Sequence, residues 1–416
     1  MIQSKKISKC KKNIHKTQSN KLKFKKGGKM LASGGFGCVF SPALKCKRAN
    51  NRQPYMVSKL MTSRHVDEEF NEITKMKNKL KNIPNYQNYY LVDNFSVCKP
   101  DKLTNEDLVN FDKCTALSKT DMTSVKSDDD NNNITHLMFN EVNTHLKDLK
   151  ILNMPFGGIP LDEFILKHKT NINIIYNLNI HLLDLLKNGI IPLNNNQIYH
   201  NDIKDSNVLV HLGENYIIKT RLIDWGLSCT YKPNDPIPKP WENRPFQFNV
   251  PFSVILFTDL FMKSYKEFIN SNQTENLFVK NYINKWKKKR GKGHMSYIKN
   301  IFKMLGKSDT DAEDYIIEYI VHIVRNLSES FKLIDYLNNV FIKIIDIWGF
   351  ITLYIPLLEL FYDNFENLNY VEKKIYEKIK YIFMEFLYKP RIARINIAEL
   401  IQELVSMNYL IMELKK

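Results

Sequence analysis

The sequence predicts an α+β protein in two lobes, a β-rich front and a mainly helical back. Two observations carry that prediction. From about Lys29 the chain reads strand, glycine turn, strand in KMLASGGFGCVFSPAL, and the short strand PYMVSKLM follows. Beyond residue 250 the chain looks mostly helical, with no internal repeat. At 416 residues and 44 % hydrophobic content the chain is long enough for a large core and for two or three domains.

Between these parts the elements follow in order. VDEEFNEITKMKNKLKNI is a polar helix with apolar residues at helical spacing, stopped by Pro84. Residues 100–135 are polar, and SKTDMTSVKSDDDNNN (118–133) reads as a flexible insert. LKDLKILNMP is a strand running into Phe156-Gly157-Gly158 and a helix. NINIIYNLNIHLLDLLKNGI is a further helix, and it feeds YHNDIKDSNVLV, a polar loop closed by an apolar strand. GFITLYIPLL (349–358) is the longest apolar run. It is too short to span a bilayer, and Lys343 and Asp346 sit just before it, so it reads as a buried helix.

The net charge of +17 is concentrated. Residues 1–30 hold eleven lysines and no acid, and residues 280–307 hold ten Lys or Arg and no acid, so the remainder is slightly acidic. Such runs are solvated surface or contacts for nucleic acid, anionic lipid or acidic protein. The tail at 1–28 reads as disordered and has no apolar segment of a secretory signal. The six cysteines form no C-x-x-C pair, which predicts free thiols in a reducing compartment and argues against a zinc site.

Two constellations carry chemistry. Leu31-Ala32-Ser33-Gly34-Gly35-Phe36-Gly37-Cys38-Val39 places close glycines between strands, where backbone N–H groups can approach a polyphosphate. Lys59 follows in the next strand, with Glu72 the best-placed carboxylate to hold it. In the second, Asp202 could accept a proton from an attacking hydroxyl. Asn207 and Asp224 could supply oxygens to Mg²⁺, which takes one or two side-chain oxygens plus substrate phosphates.

Together these motifs resemble the eukaryotic-type serine/threonine protein kinases. A-x-G-G-F-G-x-V matches the glycine-rich loop, with Ala32 where the family usually has its first glycine. H-N-D-I-K-D-S-N matches the catalytic loop at His200, Asp202, Lys204 and Asn207, and Asp224-Trp225-Gly226 takes the place of D-F-G. ILNMPFGG resembles the hinge, IDIWGF the buried helix beginning at Asp346, and KPRIARINIAELI the end of the core, with Arg394 at the usual arginine.

The resemblance implies a bilobal kinase fold over about residues 25–410. The N-lobe would span 29–155 with an insert at about 94–136. The C-lobe would span 156–416 with a large helical insert at about 253–340. It implies ATP and Mg²⁺ as cofactors. Asp202 and Lys204 would be catalytic, and Asn207 and Asp224 would hold the metal. The nucleotide would meet Leu31 through Gly37, Val39, Val57, Lys59, Glu72, Leu152, Asn153, Met154 and Leu209. Lys204, two residues after Asp202, is the pattern of kinases acting on serine and threonine.

Departures from the family pattern carry their own expectations. Asn201 stands where an arginine usually receives a phosphorylated activation loop, so activity is expected not to need that phosphorylation. Phe252 stands where A-P-E has its glutamate, which leaves Glu242 as a candidate partner of Arg394. F-Q-F-N-V-P-F-S and both inserts are similar to kinases of large nucleocytoplasmic DNA viruses, such as mimivirus relatives. That implies an intracellular location in the host cytoplasm and, for some members, packaging in virions. Protein substrates of acidic or nucleic-acid-associated character are implied, recruited by the basic insert. Two other readings share part of the pattern. A small-molecule phosphotransferase of the choline or aminoglycoside kinase type also uses H-x-D-x-x-x-x-N. A pseudokinase scaffold would fit the altered activation segment.

Overall fold

The computed structural model describes residues 28–413 apart from 54, 119–141, 215–216, 234, 329 and 331. The basic tail predicted at 1–28 lies outside the described residues save Gly28, and the flexible insert predicted at 118–133 lies outside them save Ser118. The chain is α+β and divides into two compact units, residues 1–61 with 98–151, and residues 62–97 with 152–416.

The first unit is built on a five-stranded antiparallel sheet in the order β1-β2-β3-β5-β4. Its strands are β1 (Lys29–Ser33), β2 (Gly37–Ser41), β3 (Met56–Thr62), β4 (Ser96–Cys98) and β5 (Leu149–Pro155). The divisions between units fall within β3, β4 and β5, so that Thr62, Ser96, Val97 and β5 from Leu152 onward are counted with the second unit. Side chains alternate across a strand, so cross-strand pairs share a face. Met30 opposite Phe40, and Cys38 opposite Leu60, point into the core. A register shift between Met30 and Ala32 then turns Ala32 to the other face, opposite Val39, which in turn pairs with Lys59.

The core side of this sheet is covered by residues that the sequence assigned to a polar insert. Leu103, Leu108, Phe111, Cys114, Ala116 and Leu117 are buried with Met30, Phe40, Leu60 and Ile151. Asp107, almost fully buried, ties this cover down. It accepts from Arg52 at 2.7 Å, from the Gly28 amide at 2.7 Å and from Thr104. Burial pushes its carboxyl up, but those donors outweigh it and hold it below the usual carboxylate value.

The free-thiol expectation is corrected here. Cys38–Cys114 and Cys46–Cys98 are disulfides, spanning 76 and 52 residues. The sheet and its cover bring these pairs together across long stretches of chain, so no local spacing announces them. Cys229 is the free cysteine among the described residues.

The second unit is mainly helical. It begins with α1 (Ser63–Leu80), three residues earlier than the periodicity predicts, and α2 (Tyr86–Tyr89). In the first unit α3 (Thr115–Ser118) lies between these and β5. The second unit resumes with β6 (Ile159–Pro160), α4 (Leu161–His168), α5 (Ile172–Asp184) and α6 (Ile191–Asn195). Then come β7 (Ile198–Tyr199), β8 (Val208–Leu212), β9 (Ile218–Leu222) and β10 (Cys229–Thr230). The strands form a β6-β8-β9 sheet and a β7-β10 ladder.

Among the described residues five helices occupy the predicted insert at 253–340. Four long ones, α7 (Asp259–Phe268), α8 (Glu275–Arg290), α9 (Met295–Met304) and α10 (Asp309–Asn326), are followed by the short α11 (Leu333–Tyr336). Thr258, Thr274 and Ser308 cap α7, α8 and α10 through their hydroxyls. The chain closes with α12 (Ile342–Thr352), α13 (Ile355–Asp363), α14 (Tyr370–Ile382) and α15 (Ile397–Glu413).

Helix α12 is the buried helix expected around IDIWGF; all but one of its residues are buried. Leu333–Asp363 is long and apolar enough to cross a membrane, but 94 % of its most apolar window is buried within the protein. Phe252 packs in an aromatic cluster, stacked on Tyr388 at 5.7 Å and edge-on to Trp348 and Tyr319. Arg394 donates to the Asn339 carbonyl, and among the described residues it pairs with no carboxylate. The expected Glu242–Arg394 pair is therefore corrected.

Candidate active site

The second unit gathers its polar residues around one short loop between β7 and β8. Asp346, 1 % exposed on α12, anchors the loop from below. Its two oxygens accept the backbone N–H groups of His200 at 2.9 Å and Asn201 at 2.8 Å, and the Asn194 amide at 2.7 Å. A buried carboxylate with three donors compensates for its lost hydration, and it fixes the loop's backbone in return.

His200 takes no part in the polar surface. Its Nδ1 accepts the Asp202 N–H at 3.3 Å, which places the ring proton on Nε2, facing the Ile223 carbonyl at 3.0 Å. The ring lies against Trp225 at 4.7 Å. The next residue, Asn201, adopts φ +65°, a left-handed conformation that asparagine tolerates well. Its buried amide donates to the Leu227 carbonyl and to Cys229, and accepts from Trp241 Nε1 at 2.9 Å. One side chain thus ties the loop to the segment 225–241. Tyr231 and Trp241, both buried, and the β7-β10 ladder hold that segment further.

Asp202 is 6 % exposed and surrounded by donors. Lys204 Nζ lies 2.8 Å from Oδ2, Asn207 Nδ2 3.0 Å from Oδ2, and Asn249 Nδ2 2.9 Å from Oδ1. Arg244 sits 3.5 Å from Oδ1. Burial pushes the Asp202 carboxyl up. The Lys204 charge and hydrogen bond, the Asn249 amide and the Arg244 charge outweigh it and bring it below the usual carboxylate value. Arg244 is buried, and desolvation lowers its guanidinium to about 10 against the pull of Asp202 and Asp346.

Asn207 and Asp224 lie at one end of the β8-β9 hairpin. Val208 pairs with Leu222, and the Ile223 amide donates to the Asn207 carbonyl at 3.0 Å. With Nδ2 donated to Asp202, Asn207 keeps Oδ1 as an acceptor. Asp224 is exposed, at φ +65°. A Cβ on Gly226 would lie 3.5 Å from Asp224 Oδ1 and 3.6 Å from Glu72 Oε2. Burial pushes Glu72 above its ordinary value, and the charges of Glu69, Asp224 and Glu68 add to that. An amide oxygen and carboxylates under mutual repulsion are the oxygen donors Mg²⁺ takes. Among the described residues no group of three or more His, Cys, Asp or Glu forms a self-sufficient metal site. Asn207 Oδ1 and the Asp224 carboxylate are the oxygen atoms here that could hold a cation.

The remaining predicted residues fall in both units. In the first unit Ala32, Val39, Val57 and Lys59 share the sheet face opposite the core. Leu31, Ser33, Gly34, Gly35 and Phe36 are exposed around the turn. Ser33 is held by Thr115 Oγ1 and the Ala116 amide. Gly37 has a packing reason of its own, since a Cβ there would lie 2.5 Å from the Leu60 carbonyl and closer still to Met61. In the second unit Leu152 and Asn153 are buried, Met154 is half-buried, and Leu209 packs against Gly157. Lys59 belongs to the first unit and Glu72 to the second.

Sequence reasoning missed Asn249, Arg244 and Trp241. All three come from the segment after D-W-G, where the string F-Q-F-N-V-P-F-S was read only as a likeness and gave Asn249 no role. No family model and no curated protein matches the chain.

Proposed function

We propose that the protein is an ATP- and Mg²⁺-dependent kinase that transfers the γ-phosphoryl group to serine and threonine hydroxyls of proteins, on a bilobal protein-kinase fold. The observation that carries this reading is the Asp202 cluster, a buried carboxylate kept ionised and oriented by Lys204, Asn207 and Asn249. Phosphoryl transfer asks for positioning and charge stabilisation more than for covalent chemistry.

Asp202 orients the acceptor hydroxyl and takes its proton. Lys204, already beside Asp202, offers its ammonium to the oxygens of the group in transfer. Asn207 and Asp224 hold Mg²⁺, which when bound neutralises phosphate charge. In the first unit Lys59, the glycine turn 34–37 and Val57 are the proposed nucleotide contacts; in the second unit the proposed contacts are Glu72, Leu152, Asn153, Met154 and Leu209. Asp346 acts through the backbone of His200 and Asn201 and is a positioning residue.

The reading is tested by binding of Mg-ATP followed by transfer of labelled phosphate to serine and threonine peptides. Transfer to small alcohols and not to peptides would move the assignment to the choline or aminoglycoside class.

A further inference from the structure

We propose that the exposed basic turn Lys288–Lys292, at the end of α8, docks acidic stretches of the protein substrate next to the phosphoryl acceptor. The proposal rests on the kinase reading above and adds the substrate class.

The turn is joined to the segment that orients Asp202. Arg290 donates to Asn243 Oδ1 at 2.6 Å, and the His294 amide donates to the Phe246 carbonyl at 2.9 Å. Phe248 stacks on His294 at 5.6 Å and meets Tyr297 edge-on at 4.8 Å. Two residues of the same segment, Arg244 and Asn249, then reach the Asp202 carboxylate. Gly291 at φ +83° and Gly293 at φ +55° make the turn possible. A Cβ at Gly293 would lie 2.2 Å from the Phe246 carbonyl, so the approach is close and built in.

The positive charge there is unspent. Lys287 and Lys299 pair with Glu313 at 3.7 and 2.9 Å. Lys285, Lys288, Lys289, Arg290 and Lys292 are exposed, and among the described residues no carboxylate lies within ion-pair distance of them. The dipole of α8 favours cations in its last turn, which accounts for part of the run but not for Lys292 beyond it.

An acidic peptide fits this surface better than a nucleic acid. Single-stranded nucleic-acid grooves pair cations with exposed aromatic platforms, and the rings of this helix, Phe278, Tyr282 and Trp286, are buried. The neighbour of the patch is the segment that orients the proposed base, where a protein hydroxyl would enter.

The test uses the full chain and the triple variant Lys288→Ser, Lys289→Ser, Lys292→Ser, all exposed positions without a partner to lose. The probes are a labelled serine peptide with Asp and Glu flanks, its Asn and Gln counterpart, and a single-stranded oligonucleotide of equal charge. The acidic peptide should bind about tenfold tighter than the neutral one at low salt, with the same preference in kcat/KM. In the variant the preference should vanish while transfer to the neutral peptide persists. Equal kcat/KM for both peptides in the wild type, or an oligonucleotide that displaces the acidic peptide at lower concentration, overturns the dock and leaves the kinase reading standing. Absence of transfer to every peptide defeats the kinase reading, and the substrate dock falls with it.

Discussion

Asn249 donates its side-chain amide to the Asp202 carboxylate at 2.9 Å, across 47 residues of chain. The same amide reaches the Ile203 carbonyl at 3.3 Å. The segment following D-W-G is therefore a structural part of the loop that carries the proposed base.

Removing that contact should misplace Asp202 without disturbing nucleotide binding. Asn249→Ala is expected to lower kcat about 10- to 100-fold, with the KM for ATP little changed. Steady-state kinetics check it. A pure rise in KM for ATP would place Asn249 elsewhere in the reaction.

The pH dependence follows from the charges around Asp202. Its folded value is depressed, so the carboxylate stays ionised until pH falls below the ordinary carboxylate value of about 3.9. The stability it contributes is present above the unfolded value and lost as pH falls through the folded one. Arg244→Gln removes one of the lowering charges. The acid limb of kcat/KM should move to higher pH in this variant, and a pH–rate profile reads the shift directly.

The segment 225–241 is held by neutral donors and buried rings, with Asn201 at the position where the proposed kinase reading expects an arginine. Phosphatase treatment should leave activity unchanged. Trp241→Phe removes the Nε1–H donated to Asn201 and should cost about 1–2 kcal/mol of stability, read by chemical denaturation. Loss of activity on dephosphorylation, restored by an acidic residue at Ser228, Thr230 or Tyr231, would contradict the neutral lock.

The two disulfides clamp the first unit, Cys38–Cys114 joining β2 to its cover. Reduction should destabilise this unit by roughly 2–4 kcal/mol per bridge, seen as a lower Tm. Thiol counting by mass spectrometry should find Cys38, Cys46, Cys98 and Cys114 protected before reduction.

Much of this was legible in the sequence because it depends on local spacing. The strand–glycine–strand opening gave β1 and β2, helical periodicity gave α1 and α5, and the loop at 200–207 gave Asp202, Lys204 and Asn207. Asp346 emerged from a motif and lies under that loop. What stayed hidden depends on contacts distant in sequence. Residues 101–117 looked polar, yet Leu103, Leu108, Phe111 and Leu117 supply core to a sheet whose other half is far away in the chain. The cysteine pairs and Asn249 were invisible for the same reason. Gly37 also has a packing reason that the sequence does not show, since a Cβ there would meet the Leu60 carbonyl on β3.

The central claim is tested most directly by incubating the full chain and its Asp202→Ala variant with Mg-ATP labelled at the γ-phosphate and a mixture of acidic and basic proteins. The account predicts label on serine and threonine with the wild type, reduced about 100- to 10,000-fold in the variant. Label transfer that survives Asp202→Ala, or ATP binding with no transfer to any protein, would contradict it.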